Sequence, residues 1–478
     1  MTATTPHTPS LMLRLAPALM TLVVFATSAR AQIAIEPHRA PADRLIAAAL
    51  RDSAAYKRIA LLVDRFGHRM TGSKSLEDAI DWIVAEMRRD GLENVHTEPV
   101  KVTHWVRGEE SAMLVSPRRM QLHMLGLGRS VGTAAGGITA PVLVVRSFAE
   151  LRARARDARG KIVLFNHRFD PTLHPGVAYG QAVQYRVYGD DSAAVLGAVG
   201  VLIRSVTPQS LQSPHTGGLS YTDSVREYPQ IPGAALTVED AEMLQRMQDR
   251  GERIVVTLKM GAQTLPQALS RNVIAEIRGS ERPDEVIVLG GHIDSWDVGQ
   301  GAMDDAGGSV AAWEALRLIK QSGVRPKRTI RVVLWTAEEM GLGGAFAYRD
   351  AHAAELGAHV VAMESDNGVF KPRGLLFSGS EQGLAMMRQL SKLLASIGAD
   401  SVDAGGPEPD VWPLNERGVP ALAINTDPSR YFWYHHTEAD TIDKLDPREV
   451  ALCVAVMAVM VNTIANIDVR LPRAAPAR

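Results

Sequence analysis

A stretch between residues 290 and 308 combines one histidine with several carboxylates and glycines, directly after an apolar, strand-like run at 286–289. His292 comes first, and Asp294 is placed to hydrogen-bond its ring and fix the tautomer. The acid pair Asp304–Asp305 follows. Imidazole and carboxylate groups together suit a borderline cation such as zinc. This stretch is therefore the first candidate for a metal site.

Three later positions carry the same residue types at or near the ends of predicted elements. They are the acids Glu338–Glu339, the acid Asp366 with its neighbour Glu364, and the histidines His435–His436. With the first stretch they supply enough imidazole and carboxylate groups for two metal ions. Two zinc ions with a water between them hydrolyse peptide bonds, so a metallopeptidase is the leading hypothesis.

Spacing alone does not decide between neighbouring candidates. One acid of the pair 304–305 could cap or orient the following helix while the other binds metal. Either acid of the pair 338–339 could bind metal while its neighbour moves protons. The same choice is open for Glu364 with Asp366 and for His435 with His436, which could also be a packed pair beside aromatic residues.

The elements that must position these residues alternate between strand and helix from about residue 272 onward. This alternation predicts an α/β fold, with a mostly parallel mixed sheet sandwiched by helices. Ligands of such sheets gather beyond the carboxyl ends of the strands, and the candidate residues follow those ends. The predicted strands are 273–277, 286–289, 329–334, 359–363 and 421–424, and the predicted helices are 309–320, 384–397 and 448–467.

The first half of the mature chain has two different patterns. Residues 43–91 are helical in their apolar spacing, and a strand is predicted at 95–102. Residues 115–265 contain short β-rich runs separated by Pro and Gly, with one short helix predicted at 191–196. They hold no metal-ligand cluster, so we predict a β-rich inserted domain that shapes or covers the cleft. The alternative is a β-rich edge of one continuous domain.

The composition excludes several functional classes. The 478 residues are 46% apolar and 22% charged, as in globular proteins, and the length favours two domains. The formal net charge is −1, from 52 basic and 53 acidic residues, so there is no basic footprint for nucleic acid. The single cysteine, Cys453, is predicted to be a buried small hydrophobe, and His68 to be solvated or capping.

Residues 1–31 are typical of an export signal. Arg14 provides the positive end, residues 15–26 the apolar run, and Ala29 to Ala31 a small-residue cleavage site. The apolar run is short for a membrane span, so no membrane attachment is expected after cleavage. We predict a mature chain that starts near Gln32, in the periplasm or secreted; an uncleaved anchor is the alternative.

Taken jointly and in order, the motifs resemble those of the co-catalytic zinc exopeptidases. The resemblance rests on Gly291–Asp305, Leu334–Glu339, Met363–Asp366 and His435–Thr441, with Met70–Ser73 in the N-terminal part. It covers the mature chain and implies a domain division. Residues 32–114 would be the N-terminal part of the peptidase domain, 115–265 a protease-associated insertion, 266–470 the catalytic zinc peptidase domain and 471–478 a tail.

The resemblance also implies a role for each motif residue. His292 and Asp366 would hold one zinc ion, Glu339 and His436 the other, and Asp304 would bridge the two. Asp294 would orient His292, and Glu338 would be the general base. The family pattern selects Asp304 over Asp305, Asp366 over Glu364 and His436 over His435.

The implied reaction is hydrolysis of dipeptides or short peptides with free termini, with a metal-activated water, by either a dipeptidase or an aminopeptidase. Relatives of this kind often form homodimers, so a homodimer is expected. Arg430 and Tyr434, near His436, are candidates for holding a substrate carboxylate or oxyanion, with rim packing as the alternative. A local departure from the family pattern at 405–410 leaves the details of the substrate pocket open.

Two other functions are compatible with the same scaffold. Glutaminyl cyclases work with one zinc ion and lack the full paired ligand set, whereas His292 and Asp366 complete that set here. Receptor relatives that lost their metals bind without catalysis, whereas this chain retains all five candidate ligands and Glu338. The sequence therefore favours the peptidase.

Overall fold

The computed structural model describes residues 1–2, 33–220 and 229–474. The predicted export signal, apart from its first two residues, and the end of the tail lie outside the described residues. From Ile33 onward the described residues contain two sheets of eight strands each.

The strands are numbered in chain order. They are β1 (Glu93–Val106), β2 (Glu110–Ser116), β3 (Met120–Leu122), β4 (Met124–Gly126), β5 (Ile138–Val145), β6 (Ile162–Phe165), β7 (Gly200–Arg204), β8 (Gly233–Leu236), β9 (Val255–Met260), β10 (Gln263–Ile277), β11 (Arg282–His292), β12 (Arg328–Trp335), β13 (His359–Glu364), β14 (Pro372–Ser378), β15 (Ser401–Ala404) and β16 (Ala421–Thr426).

The helices are numbered in the same way. They are α1 (Glu36–Arg51), α2 (Ala54–Phe66), α3 (Lys74–Arg89), α4 (Phe148–Ala153), α5 (Ala155–Ala158), α6 (Pro175–Val187), α7 (Gly189–Ala194), α8 (Val238–Asp249), α9 (Gly307–Gln321), α10 (Gly343–Ala351), α11 (Glu381–Leu390), α12 (Trp412–Asn415), α13 (Tyr431–Tyr434) and α14 (Pro447–Asn466).

The first sheet has the order β1-β10-β12-β11-β13-β16-β14-β15. Its four central strands, β12, β11, β13 and β16, are parallel to one another, and antiparallel pairs form on both sides of them. The predicted mostly parallel mixed sheet is therefore confirmed. The parallel centre also explains why the carboxyl ends of β11, β12 and β13 lie side by side.

Both faces of this sheet are buried, as the continuous apolar runs of its central strands require. Ile287 and Leu289 of β11 face the larger core, which contains α1, α2, α9 and α14. Val286 and Val288 face the opposite core with α10 and α12. Successive side chains of a strand point to opposite faces, so one unbroken apolar run serves both cores.

The apolar helix α14 is a core element of the described residues. Asp446 caps it by accepting hydrogen bonds from the backbone N–H groups of Arg448 and Glu449, and Pro447 occupies its first turn. By length and composition this helix could cross a membrane, but most of it is buried inside the protein. Cys453 is buried within it, as predicted.

The second sheet has the order β3-β2-β9-β5-β6-β7-β8-β4 and is built from residues 110–260. Strands β5 to β8 are parallel, and helices α4 to α8 lie between its strands in sequence. The β-rich prediction with one helix at 191–196 found α7 but missed the longer α6 and α8. Helix α6 buries only three residues, so its apolar periodicity is weak.

Local differences from the prediction also occur in the first sheet. The predicted helix 384–397 ends as α11 at Leu390, and a tighter helical turn follows over Ser391–Ile397. Strands β14 and β15 were not predicted, since only part of each is buried. The second sheet begins at Glu110, five residues before the predicted start of the inserted segment.

Two adjacent residues of α2 test the burial pattern. Leu62 is 1% exposed in the larger core, whereas Leu61 is 50% exposed. We expect Leu62→Ala to lower the free energy of unfolding by about 2–5 kcal/mol, because it leaves a cavity. Leu61→Ala, the matched control, should change it by about 0.5 kcal/mol or less. Urea unfolding followed by circular dichroism measures both, and equal losses would contradict this packing.

Candidate metal centre

The ends of three adjacent parallel strands bring the predicted metal residues together. His292 is the last residue of β11, Glu339 follows β12, and Asp366 follows β13. Asp304 lies in the turn before α9, and His436 follows the short helix α13. All five side chains are buried. The fold thus gathers them in one place although they span 145 positions of sequence, from 292 to 436.

The two oxygens of Asp304 face two different groups of candidate ligands. Oδ1 lies 3.1 Å from His292 Nε2, which in turn lies 3.3 Å from Asp366 Oδ1. Oδ2 lies 3.4 Å from His436 Nε2, which in turn lies 3.2 Å from Glu339 Oε2. The arrangement therefore has two clusters of donors that share one carboxylate.

The neighbours Asp305 and Glu364 have other contacts. Asp305 Oδ1 accepts a hydrogen bond from the N–H of Gly308 in the first turn of α9, and its Oδ2 accepts one from the N–H of His292. Glu364 Oε2 accepts a hydrogen bond from the N–H of Val411. These carboxylates thus hold the backbone near the site.

The pair His435–His436 is less clearly divided. The two rings stack with centroids 3.6 Å apart, and His435 Nε2 also lies 3.7 Å from Asp304 Oδ2. Asp304, His435 and His436 could hold an ion between them, and so could His292, Asp304 and Asp366. His436 differs from His435 in its additional contact with Glu339.

Asp294 contacts His292 in a different way from the expected one. The ring Nδ1 lies 3.0 Å from the backbone carbonyl oxygen of Asp294 and 3.8 Å from its carboxylate. The carboxylate instead accepts hydrogen bonds from the N–H groups of Glu338 and Glu339 and from the Thr71 hydroxyl. Asp294 therefore orients the histidine through its main chain and the acid pair through its side chain.

Arg69 is a positioning residue that sequence reasoning missed. Its buried guanidinium donates hydrogen bonds to the carbonyl oxygens of Ile293, Gln300 and Gly301, at 2.8–2.9 Å. Burial lowers the pKa of Arg69 to about 10, against the opposing effect of Asp440 and other nearby acids, so the side chain stays charged at neutral pH. Only the turn-rich character of its loop is visible in the sequence.

Asp440 holds the turn that carries Asp304. Its two oxygens accept hydrogen bonds from the N–H groups of Met303, at 2.7 Å, and Asp304, at 3.2 Å. Burial, together with the charge of Asp304, raises the pKa of Asp440 to about 7. The Asp304–Asp305 peptide bond in this turn is cis.

Electrostatics at the centre favour a cation. Burial and neighbouring charges raise the pKa of Glu338 and of Glu339 well above the usual value. Burial would lower the pKa of His292, but its hydrogen bonds to Asp304 and Asp366 outweigh that and raise it. Asp304 Oδ2 is buried and accepts no hydrogen bond from any residue that the structure describes. Three carboxylates, two imidazoles and this unsatisfied oxygen fit zinc as the ion that would balance the charge.

Further buried acids lie beside the cluster. Asp410 is fully buried, and neither of its carboxylate oxygens has a hydrogen-bond partner among the described residues. Glu408 accepts a hydrogen bond from the side chain of Asn367, and burial raises its pKa to about 8. Sequence reasoning noted this loop only as a departure from the family pattern.

The predicted substrate residues have structural partners. Arg430 forms an ion pair of 2.5 Å with Glu449, and its guanidinium lies 4.5 Å from the centre of the Phe370 ring. The Nζ of Lys444 lies 5.8 Å from the centre of the Tyr434 ring. A role for Arg430 and Tyr434 in substrate binding stays a prediction.

Residues between the strands of the second sheet also contact the centre. His436 Nδ1 lies 3.3 Å from the carbonyl oxygen of Thr216, and the Thr216 N–H donates to the His436 carbonyl oxygen at 3.0 Å. The Tyr179 ring stands edge-on to the His435 ring, with centroids 5.3 Å apart. These contacts join positions that are more than 200 residues apart, and no sequence pattern indicated them.

Comparisons with known proteins concern the family and the fold of the chain. The sequence profile of peptidase family M28 matches residues 272–461. The chain is 48% identical to carboxypeptidase Q of Mus musculus over 419 residues, which cover 88% of this chain and 87% of the relative. Carboxypeptidase Q of Homo sapiens gives the same identity and coverage.

Solved structures show the same fold. A peptidase M28 precursor from Shewanella amazonensis SB2B superposes with a TM-score of 0.87 and 34% identity, covering 92% of this chain and 99% of that chain. A zinc aminopeptidase from Bacillus subtilis superposes with a TM-score of 0.64 and 24% identity, covering 86% of this chain and 95% of that chain. The latter similarity concerns the fold alone.

Arg69→Met tests how firmly the loop behind His292 is held. The substitution leaves buried carbonyl oxygens without donors, so we expect the free energy of unfolding to fall by about 3 kcal/mol. Arg65→Met, at an exposed position of α2, is the control and should change it by about 0.5 kcal/mol or less. Both values come from urea unfolding in the presence of a chelator. A loss for Arg69→Met no larger than that of the control would show that these hydrogen bonds do not hold the loop.

Proposed function

Because the chain belongs to peptidase family M28, we propose that it is an exported exopeptidase that holds two zinc ions. Its substrates would be dipeptides or short peptides with free termini. The single observation that carries the two-ion proposal is the position of Asp304. Its two oxygens face separate donor groups, one with His292 and Asp366 and the other with Glu339 and His436.

The donor set suits this assignment. Each proposed ion would have one imidazole, one carboxylate of its own and one oxygen of the shared Asp304. Structural zinc sites use all four coordination positions for protein ligands, whereas catalytic sites leave a position open for water. Three protein donors per ion are thus the number expected for catalysis. When bound, the ions would polarise the peptide carbonyl group and lower the pKa of a water molecule.

Glu338 is the proposed general base. It follows β12 next to Glu339, and the hydrogen bond from its N–H to Asp294 Oδ1, at 3.1 Å, fixes the turn. The water oxygen adds to the peptide carbonyl carbon while Glu338 takes the water proton. Glu338 then gives that proton to the departing amine nitrogen as the carbon–nitrogen bond breaks. The side chain is half-buried, so it can reach substrate and is partly shielded from solvent.

The acid-rich surroundings support the proposed preference for free termini. Glu364, Glu408 and Asp410 are buried beside the cluster, and the protonated α-amino group of a short peptide would stabilise their ionised forms. The relatives named carboxypeptidase Q support cleavage at a free carboxyl end. A dipeptide offers both termini at once, which makes it the first substrate to test.

We propose that residues 115–265 form a protease-associated insertion, supported by the separate second sheet of residues 110–260. The signal-like residues 1–31 support export to the periplasm or medium. A homodimer is proposed from the family resemblance alone.

Metal content together with dipeptide hydrolysis tests the central proposal. The purified mature chain should contain about two zinc ions, because it presents two donor groups around Asp304. Chelation should abolish hydrolysis of an unblocked dipeptide, and added zinc should restore it. A peptide blocked at both ends is the control substrate and should be cleaved poorly. Protein that contains no metal, or hydrolysis that is unaffected by complete metal removal, would overturn the proposal.

Glu338→Gln separates the base from the metal ligands. The amide cannot accept the water proton, so kcat should fall by about 100- to 10,000-fold while zinc content stays unchanged. Glu381→Gln, at an exposed position of α11, is the matched control and should behave like the wild type. Turnover within about twofold of the wild type in Glu338→Gln would place the base on another residue.

A further inference from the structure

The segment around Thr216, which follows strand β7, contacts both the main chain and the ring of His436. The Thr216 N–H donates to the His436 carbonyl oxygen at 3.0 Å, which holds the main chain. The Thr216 carbonyl oxygen lies 3.3 Å from His436 Nδ1, which holds the ring. His436 has a positive φ of 62°, a conformation that residues other than glycine seldom adopt, so its backbone depends on such support.

Thr216 is itself fixed by buried partners. The Arg186 guanidinium donates to the Thr216 carbonyl oxygen at 3.3 Å and to the Tyr179 hydroxyl at 3.0 Å. The Thr216 hydroxyl donates to the Gly126 carbonyl oxygen at 2.7 Å. Arg186 is a buried arginine on α6, a helix with few buried residues. Its side chain therefore links α6 to Thr216, the residue that contacts His436.

The contact at Nδ1 determines which ring nitrogen of His436 can bind metal. A carbonyl oxygen only accepts hydrogen bonds, so a neutral ring facing Thr216 carries its proton on Nδ1. Nε2 then keeps its lone pair and faces Asp304 Oδ2 at 3.4 Å and Glu339 Oε2 at 3.2 Å. Partners of this kind fix the tautomer and orientation of metal-binding histidines.

We propose that Arg186 and the Thr216 carbonyl group are positioning residues of the metal centre, which hold His436 in the orientation and tautomer needed for one of the two ions. The inference rests on the proposed two-zinc function. Residues between the strands of the second sheet would then help to bind metal, in addition to covering the cleft. The metal site that contains His436 is incomplete without residues 179–217.

A competing arrangement would have the opposite effect. Arg186 Nη1 lies 3.5 Å from His436 Nδ1 and could donate to it. That hydrogen bond would leave the proton on Nε2, directed at Asp304 and Glu339, and would prevent metal binding there. The Thr216 carbonyl oxygen is nearer to Nδ1 and is also the acceptor for Arg186, so both donors converge on one oxygen.

Two other contacts connect the region of the second sheet to the loops of the metal centre. The Thr207 hydroxyl donates to the Phe432 carbonyl oxygen at 2.6 Å, just before the histidine pair. Arg107, between β1 and β2, forms an ion pair with Asp297, in the loop that follows His292. These two contacts, one near His436 and one near His292, help to fix the position of Thr216 relative to His436.

Three variants and one control test the inference. Arg186→Met removes the donor to Thr216 with little change in volume, and Arg186→Lys keeps one charged donor. Gly217→Ala adds a methyl group that would lie closer than van der Waals contact to the Arg186 guanidinium, at a φ of +134° that also disfavours a side chain, so it disturbs the contact between Arg186 and Thr216. Arg168→Met is the control, because Arg168 is an exposed arginine of the same sheet region that pairs with Glu242.

The measurement is zinc affinity of the full-length mature protein, obtained by competition with a chelator of known affinity. We expect Arg186→Met and Gly217→Ala to bind one of the two zinc ions about 10- to 100-fold more weakly and the other as in the wild type. Arg186→Lys should recover much of the affinity, and Arg168→Met should bind both ions normally. Cobalt substitution should show a changed visible absorption for one ion only.

Different outcomes separate this inference from the proposed function. Wild-type protein without zinc overturns the two-zinc function. Two zinc ions in the wild type, with affinity in Arg186→Met and Gly217→Ala within twofold of the wild type, overturn only the inference. Equal weakening of both ions also overturns it, because that result indicates a general structural role. If Arg186→Met does not fold, the folded Gly217→Ala variant decides in the same way.

Discussion

The burial of several carboxylates at the carboxyl edge of one parallel sheet is the constraint on which the rest of the structure depends. Strands β11, β12 and β13 are parallel neighbours, so the residues that follow them are brought together. The same geometry that makes a binding site also places acids within a few ångströms of one another. Buried charges of one sign are unstable unless hydrogen bonds and cations offset them.

Much of the surrounding structure provides that compensation. Asp294 and Asp305 accept hydrogen bonds from backbone N–H groups, and Asp440 accepts two further hydrogen bonds from the turn that contains Asp304. Arg69 donates hydrogen bonds to carbonyl oxygens of the loop after β11 and so ties that loop to the N-terminal part of the chain. The acids that contact the backbone thus hold the acids that face the histidines. The shared Asp304 remains the residue that needs a cation.

Residues between the strands of the second sheet also hold the centre. The Thr216 N–H donates a hydrogen bond to the His436 carbonyl oxygen, and Arg186 of α6 donates one to the Thr216 carbonyl oxygen. His436 lies in a loop, where no strand end fixes the ring. Hydrogen bonds with Thr216, between β7 and β8, take that role in this member of peptidase family M28. The His435 ring stacks on the His436 ring and packs against one of its faces.

The sequence alone determined the residue types, their order and the parallel sheet that presents them. Apolar runs followed by His or acidic residues are local signals, because each lies within one strand and the turn after it. Asp304 contacts the histidines, whereas Asp305 accepts hydrogen bonds from the backbone. The Asp294 carboxylate accepts hydrogen bonds from the N–H groups of Glu338 and Glu339. These roles depend on the directions of the side chains, which the sequence does not give. Arg69 with Ile293, and Thr216 with His436, are pairs about 220 residues apart. Such contacts have no periodicity or spacing in the chain, so only the tertiary structure decided them.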